Sequence, residues 1–398
     1  MRAGQTFRGA ASVLAVMAAT RFPSETMPCA NTIHSWVLRW GHYQLHRPLP
    51  QGEDWAWFID LTLTIGPHKV LVIAGARLSE IPFAERALAP TDLQVVHVAV
   101  LAKSTHATIG PELQAAEKRT GCPRVIITDE GSDLLKAIRL YREERPTVGH
   151  VLDLAHVGAN LLKKRFTGQP RWAEFVQKLT QTNQQIRQTE LAYLLSPRLR
   201  DKGRFMSVGV VLRFARRVLY WLDQSLADAR GEKAYGWLRD YRAELAEWCQ
   251  DQEVVRGAIA QVRDHGWHAG TLRALERQWA SIPVDSPSLE LVAELRAFAQ
   301  EMTAVPVSAE ETWPGSTEVL ESCFGQWKRV VEAGPSVGVS GLVLALGSVM
   351  KPAEASEYRT ALDATPLKRV WKWLKENVGP TLQQFRRAFH RQTAGAIP

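Results

Sequence analysis

Three carboxylates stand out by their setting. Asp60 lies inside the apolar run WAWFIDLTLTIG, Asp129 closes the run VIITDEG, and Glu321 falls in STEVLESCFGQWKR. A polar group left unpaired in apolar surroundings costs roughly 2 to 7 kcal/mol even when neutral, and an ionised carboxylate costs more, so an acid in an apolar strand needs a partner. A divalent cation answers that need. Acids delivered by two strands and a late helix are the oxygen donors that a pair of magnesium ions about 3.5 to 4 Å apart requires for phosphoryl transfer. Asp60, Asp129 and Glu321 are therefore the expected catalytic residues and metal ligands, for two Mg²⁺ ions with Mn²⁺ as a substitute. A plainer reading exists for Asp129, because TDEGSD is rich in turn formers and suits an Asx-type turn. Asp54, Glu130 and Asp133 are neighbouring acids expected to be dispensable for metal binding, with Asp133 suited to cap the helix that follows.

The elements that must position these acids follow from hydrophobic periodicity. Strands are predicted over 55–65, 69–76, 93–101, 124–128 and 149–154, with helices over 111–119 and 133–145. The order is β-β-β-α-β-α-β. Short connections such as IGPH make the first three strands an antiparallel meander, and the helical crossovers add parallel strands, giving a mixed sheet with helices on its faces. That order resembles the ribonuclease H-like fold, in which the first and fourth strands are neighbours, so Asp60 and Asp129 should face one another. From about 155 to 310 the pattern is helical, with Trp172, Trp221, Trp237, Trp248, Trp267 and Trp279 spread through it, and reads as an all-α bundle. Residues 316–332 should form a helix capped by Ser316 or Thr317.

The first fifty residues read as a helix-turn-helix. Phe7, Ala10, Ala11, Leu14, Met17 and Ala18 recur at helical spacing, RFPSETMPC breaks the pattern, and Ile33, Trp36, Val37 and Trp40 mark the inner face of a second helix that Gly41 ends. Its outward residues, among them Asn31, His34 and Arg39, are then the expected DNA contacts. An ordinary helical hairpin packed on the next domain accounts for the same pattern. The tail from 366 to 392 is basic and amphipathic. There Lys368, Arg369, Lys372, Arg386 and Arg387 are interleaved with Trp371, Trp373, Phe385 and Phe389, as a backbone-contact element would be.

Composition narrows the class. A chain of 398 residues with 45% hydrophobic and 23% charged residues is globular and large enough for two to three domains. A net charge of +8 points to a polyanionic partner, nucleic acid before membrane. Cys29, Cys122, Cys249 and Cys323 show no C-x-x-C pairing, which excludes a zinc ribbon or disulfide framework and suggests a reduced, cytoplasmic setting. GAASVLAVMAA is too short to span a bilayer and lacks a signal-peptide cleavage pattern. There is no P-loop, no dinucleotide-binding spacing around GVSGLVLALG, and no H-E-x-x-H or G-x-S-x-G; the glycines at 338, 341 and 347 suit close packing.

With Glu321 in place, nearly the whole chain resembles the DDE transposases of bacterial insertion sequences. In that family the last catalytic Glu is commonly followed seven residues later by Lys or Arg, as Lys328 follows Glu321; seven residues after the rival Glu318 stands Gly325. Pro314 and Thr317 occupy the positions where one subgroup carries Tyr and Arg. Asp153-Leu-Ala-His156 resembles a further motif, a Cys or Asp then His after the fifth strand, found in lineages with helical insertions; helix capping by Asp153 is compatible with it. The resemblance implies an α/β, ribonuclease H-like core with a large all-α insertion, divided as 1–50 helix-turn-helix, 51–158 first core part, 159–312 insertion, 313–350 final core helix and 351–398 basic tail. It implies Mg-dependent cleavage and strand transfer on double-stranded DNA, in the cytoplasm with the nucleoid, by a homodimer or higher multimer. Asp153, His156 and Lys328 would be supporting residues, with Lys328 also on DNA. The alternatives are a transposase-derived DNA-binding protein without catalysis and a ribonuclease H-like nuclease. The helical pattern starts only six residues from Met1, so longer relatives are expected to carry an upstream domain.

Overall fold

The computed structural model describes residues 6–21, 27–65, 68–83, 85–199, 204–305, 310–332, 341–380 and 382–393. It divides into two compact units, Met1–Val151 with Thr317–Pro398, and Leu152–Ser316. The prolyl break at 22–26, the turn at Gly66 and Pro67, and Gly338 lie outside the described residues.

The first unit opens with helices α1 (Phe7–Arg21) and α2 (Ala30–His46), followed by strands β1 (Trp55–Ile65), β2 (His68–Arg77) and β3 (Gln94–Leu101). Next come α3 (His106–Thr120), β4 (Val125–Thr128), α4 (Ser132–Glu143) and β5 (Gly149–Leu152). The five strands form one mixed sheet in the order β3-β2-β1-β4-β5. β1 pairs antiparallel with β2 and parallel with β4, and β2 pairs antiparallel with β3. These strands lie within a residue or two of their predicted bounds because long runs of Val, Ile and aromatic residues suit a sheet buried on both faces.

Side-chain alternation divides the sheet residues between two layers. Trp55, Trp57, Ile59, Leu71, Ile73, Val96 and Ile126 form one core with Ile109 and Leu113 of α3 and Leu134 and Ile138 of α4. Phe58, Asp60, Val72, Ala74, Val95 and Ile127 take the opposite face. A 3-10 segment, Gly341–Ser348, reaches that second face, where a side chain on Gly347 would touch Val95 at 3.6 Å. Full burial of each large apolar side chain contributes about 1.5 to 3 kcal/mol, which is what fixes the faces and the register.

Two local expectations change. Gly41 does not end its helix: α2 runs on to His46, and Gly41 is buried where the backbone of Leu344 crosses, so that a Cβ would fall on the Leu344 carbonyl. The inner face of α2 accordingly turns to Leu38, Trp40, Gly41, Gln44 and Leu45, leaving Trp36 exposed. The helix predicted from Pro111 begins instead at His106, because Thr105 and Thr108 cap it reciprocally, with Thr105 N–H donating to Thr108 Oγ1 at 3.0 Å.

The second unit holds α5 (Leu154–Thr167), α6 (Pro170–Ile186), α7 (Val208–Asp223), α8 (Ala229–Tyr235), α9 (Arg242–His265), α10 (Thr271–Trp279) and α11 (Ser288–Ala304). Aromatic packing centres it: Trp172 meets Phe166 at 4.9 Å and Trp248 edge-on at 4.9 Å, and Phe175 meets Trp248 at 5.2 Å. Its two ends meet. Leu154 N–H donates to the Gly315 carbonyl at 3.1 Å, and Trp267 and Trp313 exchange backbone hydrogen bonds at 2.7 and 2.9 Å. The chain then re-enters the first unit through α12 (Glu318–Glu332), followed by α13 (Ala355–Ala364), α14 (Leu367–Asn377) and α15 (Leu382–Thr393). The N-terminal helices and the C-terminal tail, expected as domains of their own, belong to the same compact unit as the sheet.

Candidate active site

Asp60 is 2% exposed and pairs with Val72 across the β1–β2 ladder. The ladder loses register immediately afterwards, between Asp60 and Leu63, so the acid sits at the edge of a bulge that bends the strand. On its other side β1 runs parallel to β4 with Ile59 opposite Thr128. The next residues are Asp60, still within β1, and Asp129, the first residue after β4 ends at Thr128. Neighbouring strands lie about 4.8 Å apart, so this register brings the two positions to the same end of the β1–β4 pair.

The turn after β4 fixes Asp129 from below. Gly131 N–H donates to Asp129 Oδ1 at 3.1 Å, which is the expected Asx-type turn, and it engages only one of the two carboxylate oxygens. Thr128, fully buried, hydrogen-bonds His150 Nε2 on β5 at 2.9 Å. Burial, helped by nearby Arg142, pushes His150 down to about 4, so its imidazole is neutral at neutral pH. Asp133 accepts the backbone N–H of His106 at 3.3 Å and lies 3.7 Å from the His106 ring, tying the start of α4 to the start of α3. Neither His150 nor His106 stands out in the sequence; strand alternation for the first and the cap at Thr105 for the second are the only signals.

Glu321 and Lys328 come from α12, which packs against β1 and is joined to the 3-10 segment by Trp327 Nε1–H donating to the Leu342 carbonyl at 2.6 Å. Leu320, Cys323, Phe324 and Trp327 form the buried stripe of this helix. At about 100° per residue, Glu321 and Lys328 fall within about 20° of each other beside the stripe, whereas Glu318 falls nearly opposite it. Both Glu321 and Lys328 are exposed and Glu318 is half-buried.

The donor set fits magnesium in kind, since all three groups are carboxylates. In placement, Asp60 and Asp129 follow paired positions of neighbouring strands. Among the described residues no three His, Cys, Asp or Glu side chains are gathered closely enough to hold a metal ion.

The remaining predicted residues have other settings. Asp153, fully buried in the helical unit, caps α5 by accepting Ala155 N–H at 2.8 Å and holds His156 Nδ1 at 2.9 Å. On α2, Asn31 is exposed, but His34 and Arg39 turn inward rather than outward. His34 packs on Phe7 with ring centroids 5.0 Å apart, and burial lowers its pKa. Arg39 Nε donates to the Thr365 carbonyl at 2.7 Å and its guanidinium also reaches the Leu362 carbonyl, so it clamps α2 to the end of α13. Lys368, Arg369 and Lys372 on α14 and Arg386 and Arg387 on α15 are all exposed. Among the described residues no helix is long and apolar enough to cross a membrane. No protein-family model and no curated protein matches this chain.

Proposed function

We propose that this chain is a DDE-type transposase, a ribonuclease H-like enzyme that cleaves DNA at element ends and joins the freed strand to a target. The single observation that carries this reading is the register of the parallel strands β1 and β4, in which Asp60 and Asp129 each follow a member of the Ile59–Thr128 pair. The strand order β3-β2-β1-β4-β5 supports it, as do the packing of α12 on β1 and the shared flank of Glu321 and Lys328.

Magnesium, when bound, supplies the Lewis acidity that activates an attacking oxygen and offsets charge on the scissile phosphodiester. Asp60, held in mid-strand, would be one ligand of the metal, with Asp129 another. Glu321 would complete the set from α12, and three carboxylates converge only when a cation offsets their mutual repulsion. Lys328 would hold a phosphate as a point charge one face along the same helix. The partners are double-stranded DNA ends and target, bound by a dimer or higher multimer.

The test incubates the protein and its Asp60→Asn variant with labelled candidate ends and a target plasmid in Mg²⁺. Joined products that vanish in the variant, with DNA binding kept, are the expected result. Nicks without joining would make the protein a nuclease, and a mobility shift alone would make it a DNA-binding protein.

A further inference from the structure

The outward residues of α14 form one stripe. Lys368, Trp371, Lys372 and Lys375 follow the i, i+3, i+4, i+7 spacing, so they share one face, and all four are exposed. Trp371 is 52% exposed in the middle of the three lysines. The apolar residues Val370 and Leu374 are buried on the opposite side, where α14 packs against α2, so this tryptophan is surplus to the packing of the helix. α15 repeats the theme one turn apart with Phe385 and Phe389, 59% and 61% exposed, and carries no acid. From 367 to 393 the sequence has seven Lys and Arg against the one acid Glu376, so the surface calls for a polyanion. That one acid lies 3.9 Å from Lys372, and Arg386, Arg387 and Arg391 are exposed.

We propose that the outer faces of α14 and α15 bind unpaired nucleotides, with the lysines and arginines on the phosphates and Trp371, Phe385 and Phe389 stacked on bases. Phosphate attraction alone would leave three large rings in water for nothing. A base in a duplex has no free π-face to offer them, whereas an unpaired base has two, and stacking tolerates any sequence. A lipid surface fits less well, because an interfacial helix needs a continuous apolar face and the outward face of α14 has one ring among three ammonium groups. The inference deepens the DNA-processing reading, in which strand cleavage supplies unpaired ends, but the surface itself is independent of catalysis.

The experiment measures fluorescence anisotropy of the full chain in EDTA, which silences any metal-dependent chemistry. The probes are a labelled oligothymidylate about 20 nucleotides long and a duplex of equal length, at several salt concentrations. Trp371→Ala combined with Phe385→Ala and Phe389→Ala should weaken single-strand binding at least about ten-fold and duplex binding less than about two-fold. Lys368→Gln, Lys372→Gln and Lys375→Gln together should weaken both and reduce the single-strand salt slope by about two. Equal losses on both probes, no loss on either, or tighter binding to phosphatidylserine vesicles than to the oligothymidylate, abolished by the same changes, would overturn the proposal. Because no step requires cleavage, a failed strand-transfer assay and a failed binding assay remain distinct results.

Discussion

Ile59 and Thr128 are partners across the parallel β1–β4 ladder, and an aspartate follows each of them. The placement of Asp60 relative to Asp129 is thus set by register, and a one-residue slip would send Asp60 to the opposite face. If both hold the same metal centre, Asp60→Asn and Asp129→Asn should each lower strand cleavage by about three orders of magnitude, the several kcal/mol that metal stabilisation of a transition state supplies. The double variant should be little worse than either single one, since residues acting as a unit are not additive. Single-turnover cleavage rates measure all three.

The two acids of α12 separate by helical phase. Glu321→Gln should cost about a hundredfold or more in rate, as does loss of one electrostatic contributor at other sites, while Glu318→Gln on the far side of the helix should stay within about two-fold. Lys328→Ala should weaken substrate binding more than it slows a bound complex. A Glu318→Gln variant as impaired as Glu321→Gln would refute the assignment.

Gly41 marks a backbone crossing. Gly41→Val forces the Leu344 carbonyl away from α2 and should destabilise the sheet unit by about 1 to 3 kcal/mol, the usual range for overpacking a core. Thermal unfolding should show a midpoint lowered by several degrees, whereas Trp36→Ala, on the exposed side of the same helix, should leave it nearly unchanged.

Acid should loosen the sheet unit through two histidines. His150, by burial, and His42, by burial with some repulsion from His46 and Arg369, titrate at about 4 in the folded chain against an ordinary 6.5. Between those values the unfolded chain holds more protons than the folded one. Stability therefore rises with pH through that window, is complete above about 6.5 and is lost as pH falls toward about 4. Denaturant midpoints measured across that range should show the slope, and His150→Gln should flatten it.

Much of this arrangement is legible in local patterns. The bounds of β1 follow from its apolar run, and the turn at Asp129 from its Gly and Ser neighbours. In DLAH, the capping role of Asp153 is readable; its hold on His156, three residues on, is what the structure adds. What local pattern misses is set by distant chain. Gly41 looks like a terminator until Leu344, some three hundred residues on, crosses it. Arg39 looks like an outward charge until the carbonyls at the end of α13 claim it. Pro111 looks like a first helical residue because two threonines upstream, each weak alone, cap the helix only together. Glu321 shows the limit most clearly: its spacing to Lys328 is readable, but the packing of its helix on β1 depends on contacts between distant stretches of chain that local periodicity does not encode.

The hydrogen bond between Leu154 and Gly315 bears on how the chain assembles. Between these residues the polypeptide leaves the sheet for roughly 160 residues, and closing an unstructured loop of that length would cost on the order of 4 to 5 kcal/mol in entropy. Once the helical unit has folded, its two ends are already side by side, and the cost of bringing α12 back to β1 is that of a short connection. The helical unit therefore acts as a clasp on the chain, and its folding sets how readily α12 returns to β1. A destabilising change deep among its aromatic rings would then read out as a loosened packing of α12 on the sheet.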